Sequence, residues 1–290
     1  MFEWHLRDRT LKWDRRPLVM GIVNVTPDSF SDGGQHATTE AAIAHGLRLL
    51  QDGADVLDIG GESTRPGAEP VSLAEELRRV AAVVTGLVAQ TKCPLSVDTS
   101  KAEVARRCLE AGAHIINDVT ALVGDPEMPA VARQHGCGVV LMHMQGTPQT
   151  MQQNPQYEDV VAEVGQFFAE RLQSAGAGGI PPERVVLDPG IGFGKKGKHN
   201  LELLARVAEF QALGRPVCLG ISRKGFIGQI VQRPVDQRLA GSLAAVLFAQ
   251  SRNAVQIVRV HDVRETRDAL EVFAAIQDSE IRDQRSEVRS

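Results

Sequence analysis

Eight short apolar runs recur along the chain, each followed by a polar or glycine-rich turn and then a longer segment with helical spacing. They read as Leu18–Val23, Val56–Ile59, Leu95–Val97, Ile115–Val119, Gly138–Met142, Val185–Leu187, Val217–Ile221 and Val255–Val260. Their intervals, roughly 20 to 45 residues, leave room for a crossover helix, and runs apolar on both faces suit a parallel sheet covered by helices. The helices show in apolar spacing and in their ends. Glu75–Ala89 carries Leu77, Val80, Val83, Val84 and Leu87, with Ser72 as candidate N-cap and Glu75 three residues on. Arg238–Gln250 repeats the pattern with Leu239, Leu243, Val246 and Leu247. Ser100 precedes a helix running to Ala111, and Gly112 stands where a C′ glycine ends one. Eight βα units without a linker predict a single α/β domain, a (β/α)8 or TIM barrel with its site at the C-terminal ends of the strands. An open doubly wound sheet is the competitor, and the count of eight favours the barrel. The barrel is expected over residues 18–277, after an extension at 1–17 and before a polar tail at 278–290 that is expected to fray.

Composition narrows the partners. The formal charge of −4 offers no basic footprint for nucleic acid and no polybasic membrane anchor. An anionic substrate remains open, because a local cluster of Arg, Lys and His outweighs a mildly acidic whole. Cys93, Cys108, Cys137 and Cys218 lie far apart without a CxxC pair or metal-ligand spacing, which reads as reduced, buried thiols. The first residues are charged where a signal peptide is apolar. No apolar stretch approaches the roughly 20 residues that span a bilayer. A cytoplasmic protein is expected.

A barrel enzyme carries its chemistry where strands end. Those positions hold Asn24, Asp58 with Glu62, Asp98, Asn117, His143, Asp188, Ser222 with Lys224, and Arg259 with His261. One such residue needs no function beyond turning the chain; eight strands converging on one mouth point to a site. Asp98 reads either as an Asx turn before Ser100 or as an acceptor for a ligand. Asp188, before Pro189, reads either as a turn starter or as the same kind of acceptor. Two carboxylates and the Asn117 amide suit a neutral ring with adjacent N–H donors, such as a 2-amino-pyrimidinone. Lys224 is then a donor to the ring carbonyl, or else a solvated lysine. Arg259 and His261 alternate across Val260, so they point the same way, beside a helix beginning at Asp262–Glu265. A cationic pair at a helix N-terminus is a seat for phosphate. His143 between two methionines reads equally as a core histidine. The Gly190–Gly194 run lacks dinucleotide spacing and reads as backbone that must approach something closely. The loops 24–34 and 60–67, rich in Gly, Pro, Ser and Asp, read as surface loops or as lids.

Several of these segments together resemble a known family. Met20-Gly-Ile-Val-Asn-Val-Thr-Pro-Asp-Ser-Phe-Ser-Asp-Gly-Gly34 and Asp58-Ile-Gly-Gly-Glu-Ser-Thr-Arg-Pro-Gly67 resemble the two signatures of dihydropteroate synthases. The likeness continues through Ser96–Lys101, Ile116–Asp118, Leu141–Gly146, Asp188–Lys195, Gly220–Lys224 and Arg259–Asp262, and spans roughly residues 18 to 275. The resemblance implies a reaction that joins p-aminobenzoate to 6-hydroxymethyl-7,8-dihydropterin diphosphate, forming 7,8-dihydropteroate and pyrophosphate. It implies a pterin pocket of Asp98, Asn117, Asp188, Lys224 and Arg259, a diphosphate seat at Thr64, Arg259, Val260 and His261, and Mg2+ held through Asn24. It further implies a p-aminobenzoate site at Phe30, Arg65, Pro66 and Ser222, with Asp32 organising the metal or the developing cation. The catalytic set it implies is Asp32, Arg65, Lys224, Arg259 and His261. No nucleophilic side chain is required, and a homodimer is expected. Two other readings compete. A pterin-binding methyltransferase shares barrel and pocket but has no use for the two loops; a silent pterin-binding paralogue keeps the pocket without the reaction.

Overall fold

The computed structural model describes residues 2–13, 16–25 and 34–287. The chain opens with a hairpin of β1 (Glu3–His5) and β2 (Thr10–Lys12). Eight further strands follow: β3 (Leu18–Asn24), β4 (Val56–Gly60), β5 (Leu95–Asp98), β6 (Ile115–Asp118), β7 (Gly138–Met142), β8 (Val185–Asp188), β9 (Cys218–Leu219) and β10 (Ile257–Val260). All pair in parallel, in the order β8-β7-β6-β5-β4-β3-β10-β9, and a single bridge from Leu187 to Val217 joins the two ends. The sheet therefore curls round into a TIM barrel, as the eight runs predict. Helices α1 (Gly34–Gln51), α2 (Leu73–Val88), α3 (Ala102–Glu110), α4 (Met128–His135), α5 (Val160–Ala177), α6 (Gly197–Ala205), α7 (Gly225–Val231), α8 (Leu239–Ser251) and α9 (Val263–Glu287) lie between and after the strands; α7 is a short extra turn after β9.

Alternation along each strand builds two cores. Outward residues such as Val19, Leu57, Val97, Ile116, Val139 and Leu187 pack with the helices in one large cluster. Inward residues Met20, Val56, Ile115, Val140, Val186, Cys218 and Ile257 fill the barrel itself, together with Trp4 and Leu6 from the hairpin. The hairpin is thus a plug for the end of the barrel away from the polar strand ends. Trp4 is fully buried, and its indole N–H donates to the Arg184 carbonyl at 2.8 Å. Gly138, the first residue of β7, leaves the space into which Trp4 and Leu6 pack.

The element ends differ in places from the sequence reading. Ser72 caps α2 as expected, its hydroxyl accepting from the Glu75 amide at 3.3 Å. The N-cap of α3 is Lys101 rather than Ser100, and the Ala102 amide is met instead by Asp125 of a neighbouring loop at 2.9 Å. A partner distant in sequence leaves no local signal. β9 is shorter than Val217–Ile221, because a turn in which the Ile221 carbonyl accepts from the Lys224 amide already begins there. α9 runs on to Glu287 through the segment expected to fray. Its last turns contain no Gly or Pro, and Glu, Arg and Gln are good helix formers. Among the described residues, no helix is long and apolar enough to cross a membrane.

Candidate active site

At the C-terminal ends of the strands the inward positions turn from apolar to polar. Asp58 on β4, Asp98 on β5, Asn117 on β6, Asp188 on β8 and Arg259 on β10 form one layer above the apolar filling. Asp98 and Asn117 are direct register partners. Arg259 ties the layer together: its Nε donates to Asp58 Oδ2 at 2.6 Å and its Nη2 to Asp98 Oδ2 at 2.7 Å. Asn117 Nδ2 donates to the same Asp58 oxygen at 3.1 Å, which turns its amide oxygen away from Asp58. Asp98 therefore spends its side chain on Arg259, not on an Asx turn. Burial pushes its carboxyl well above the ordinary carboxylate range; Arg259 opposes that shift, while Asp58, Glu76 and Asp118 add to it.

Asp188 starts the turn after β8 and still keeps one oxygen at the pocket. One oxygen, Oδ1, accepts from the Gly190 amide at 2.8 Å and starts the turn. Its Oδ2 lies toward Gly220, just after the neighbouring β9. Burial raises its pKa, against the Gly190 amide and the charges of Lys224, Arg259 and Lys195. Lys224 stands opposite, its Nζ 4.0 Å from the centroid of the Phe193 ring. Burial pulls its ammonium down to about 8, so it is still mostly protonated at neutral pH. The glycine run does approach something closely. Gly190 and Gly194, at φ +65° and +63°, press against the backbone of His143 and Gln145, where a Cβ would collide. Thr64, Asp98, Asn117, Asp188, Lys224 and Arg259 line one pocket with Val119, Met142, Ile191 and Phe193. The pocket is narrow and partly open to solvent.

A rim lies beside this pocket. Ser222 Oγ accepts from the His261 amide at 3.2 Å and meets His261 Nδ1 at 3.1 Å. Arg223, in the left-handed region at φ +59°, forms a two-toothed ion pair with Asp262 and so clamps the β9 turn to the end of β10. The cationic pair expected at β10 is one cation and one neutral ring. Burial, then the charges of Arg259 and Arg223, pull the His261 imidazole down to about 4. The loop after β4 is held at its base. Lys101 Nζ bridges Glu62 and the fully buried Glu76 of α2, and Arg79 donates to the Gly61 carbonyl at 2.8 Å. Farther along that loop Arg65 and Pro66 are exposed.

Comparison with known proteins meets this geometry. The family of pterin binding enzymes matches residues 20–261. The dihydropteroate synthase of Escherichia coli K12 is 49% identical over 259 residues, covering 89% of this chain and 91% of that one. The chain belongs to the dihydropteroate synthase family. Its fold superimposes on a Xanthomonas albilineans dihydropteroate synthase solved with 4-aminobenzoic acid, at TM-score 0.89 and 53% identity, covering 95% and 98% of the two chains. A second structure of the Xanthomonas enzyme, in complex with 7,8-dihydropteroate, aligns at TM-score 0.86 and 50% identity with the same coverage.

Not every residue implied by the dihydropteroate synthase signatures enters the pocket. Ser222 and His261 sit at the rim, the Val260 side chain is buried in the core against the helices, Asn24 is at the half-buried end of β3, and Arg65 and Pro66 are on the exposed loop. Phe30 and Asp32 lie outside the described residues. Among the described residues, no group of three or more His, Cys, Asp or Glu gathers as a metal-ligand set. His143 is a core histidine: buried, pulled down to about 3 mainly by burial, and edge-on to Phe167 at 4.8 Å. Residues that reading the sequence passed over include Arg223, Phe193 and Lys195. Each stands inside a signature segment, but a lone Arg or Lys there has the look of a solvated side chain.

Proposed function

We propose that the protein joins p-aminobenzoate to 6-hydroxymethyl-7,8-dihydropterin diphosphate, releasing pyrophosphate and forming 7,8-dihydropteroate in folate synthesis. The observation that carries this is one pocket, in a chain of this family, that gathers two buried carboxylates, a buried amide and the half-buried Lys224. That set matches the donor edge and carbonyl of a pterin. The Xanthomonas relatives bound to 4-aminobenzoic acid and to 7,8-dihydropteroate support both ends of the reaction.

In this reading Asp188, Asp98 and Asn117 accept the ring's N–H groups and Lys224 donates to its carbonyl. Arg259 has five donors, of which Asp58 and Asp98 take two, and its planar face suits stacking on the ring. The electron-rich pterin stabilises a cation at its exocyclic methylene, and the surrounding carboxylates favour that charge. The C–O bond breaks with its electron pair leaving on pyrophosphate. Arg259, Thr64, Val260 and neutral His261, its ring against Ser222, receive that anion. The arylamine lone pair then forms the C–N bond, and the amine gives up a proton to water. Arg65, Pro66, Phe30 and Ser222 wall the aryl site, and Asp32 supports the developing charge.

Mg2+ fits beside Asn24. The residue ends β3 half-buried at the mouth, and its amide oxygen is the hard donor that Mg2+ accepts alongside water and phosphate oxygens. Bound there, it would neutralise charge on the departing pyrophosphate. Four free cysteines suit a reducing cytoplasm. Exposed Phe248 on α8 and Val272 and Ile276 on α9 give an apolar face for the expected homodimer.

Pyrophosphate and 7,8-dihydropteroate should appear in equal amounts, strictly dependent on p-aminobenzoate. Methyl transfer from a folate in place of that reaction would establish the methyltransferase, and pterin binding without either reaction the silent paralogue.

A further inference from the structure

No step above uses Lys195, yet it is only 2% exposed, at the end of the glycine run between β8 and α6. An ammonium has three donors, and each has an acceptor here. His143 Nδ1 lies at 2.9 Å, the His143 carbonyl at 3.3 Å and the Phe193 carbonyl at 2.9 Å. Two of these belong to the residue just after β7 and the third to the glycine run, so Lys195 staples the run to the neighbouring strand end. Burial is costly for this ammonium and pulls it down to about 7, with the Asp188 charge opposing, and a hydrophobe of similar volume would fill the space without that cost. The lysine therefore serves geometry rather than stability.

What the staple holds is specific. Phe193 lies under the Lys224 ammonium, and Gly190 fixes one oxygen of Asp188. A shift of the run moves the groups that contact Asp188 and Lys224 together. We infer that Lys195, with His143 as its acceptor, is a positioning residue that sets the spacing of Asp188 and Lys224 against the pterin ring. This rests on the pterin reading above. It also explains a polar ring at position 143, because the His143 Nδ1 takes a hydrogen bond that a leucine of similar bulk cannot take.

The test uses the full chain with four variants: Lys195→Met, His143→Leu, His143→Asn and Asp188→Asn. KM for each substrate, kcat and the melting temperature are measured on all of them. Lys195→Met and His143→Leu should raise KM for the pterin diphosphate on the order of tenfold, with KM for p-aminobenzoate changed by less than about twofold. His143→Asn keeps an acceptor near the position of Nδ1 and should stay within about threefold of the parent. A folded Lys195→Met with unchanged pterin KM, beside an Asp188→Asn that loses it, overturns the inference while the pterin reading stands. Equal losses for both substrates overturn it too, as general damage to the fold. An unaffected Asp188→Asn removes the pterin reading, and this inference with it. Should Lys195→Met not fold, His143→Leu and His143→Asn decide: indistinguishable pterin KM values overturn the proposal, and a loss confined to His143→Leu upholds it.

Discussion

Arg259 and His261 leave the same strand end but meet the site in different charge states. The guanidinium is held charged by Asp58 and Asp98, whereas the imidazole is pulled down to about 4 by burial and by Arg259, Arg223 and Arg65, with only Asp262 opposing. The sign follows from linkage. A histidine whose folded pKa lies below its usual value near 6.5 contributes stability above that value, and loses it as pH falls toward 4. An anion at the rim reverses the balance, since its charge favours the imidazolium. Pyrophosphate binding at about pH 5.5 should therefore take up more protons in the parent than in His261→Gln, by up to ~1 proton per site. Calorimetry in buffers of different ionisation enthalpy reads the difference; equal uptake in both would remove His261 from the anion's neighbourhood.

At the scale of elements, the hairpin and the loop after β4 act at opposite ends of the barrel. The hairpin closes the bottom through Trp4, and Trp4→Ala should cost about 3–5 kcal/mol in denaturant unfolding while pterin binding by the folded fraction is kept. A cost below about 1 kcal/mol would show that the plug is dispensable. The other end has the reverse design. Lys101 fixes the base of the loop after β4 to Glu62 and Glu76, but Arg65 and Pro66 stay exposed, so they form no wall for an aryl ring in the free protein. Once pterin and magnesium pyrophosphate supply partners, that wall can assemble. p-Aminobenzoate should bind the free enzyme at least about tenfold more weakly than the enzyme holding those ligands. Comparable affinity in both conditions would refute the ordered assembly.

For the whole molecule, the barrel was legible because its strands are buried on both faces and its helices on one, which writes two distinct periods into the chain. Asp98, Asn117, Asp188 and Lys224 were legible because that topology delivers strand ends to one mouth. The hairpin was not, since two strands of three residues each carry no period, and what makes Trp4 a plug is a barrel end built from distant residues. Lys195 and Arg223 were hidden for a similar reason: their partners, His143 and Asp262, stand 52 and 39 residues away. The charge of His261 also depends on burial that no local pattern encodes. In the proposed reading labour is divided, with the polar layer inside the barrel taking the ring and the rim taking the anion. The most direct test of that division is calorimetric titration of Asp188→Asn and His261→Ala with the simple pterin and with the pterin diphosphate. The predicted result is that Asp188→Asn weakens both ligands by the same factor, about tenfold or more, while His261→Ala weakens only the diphosphate. Equal losses of both ligands from His261→Ala, or pterin affinity untouched by Asp188→Asn, would contradict it.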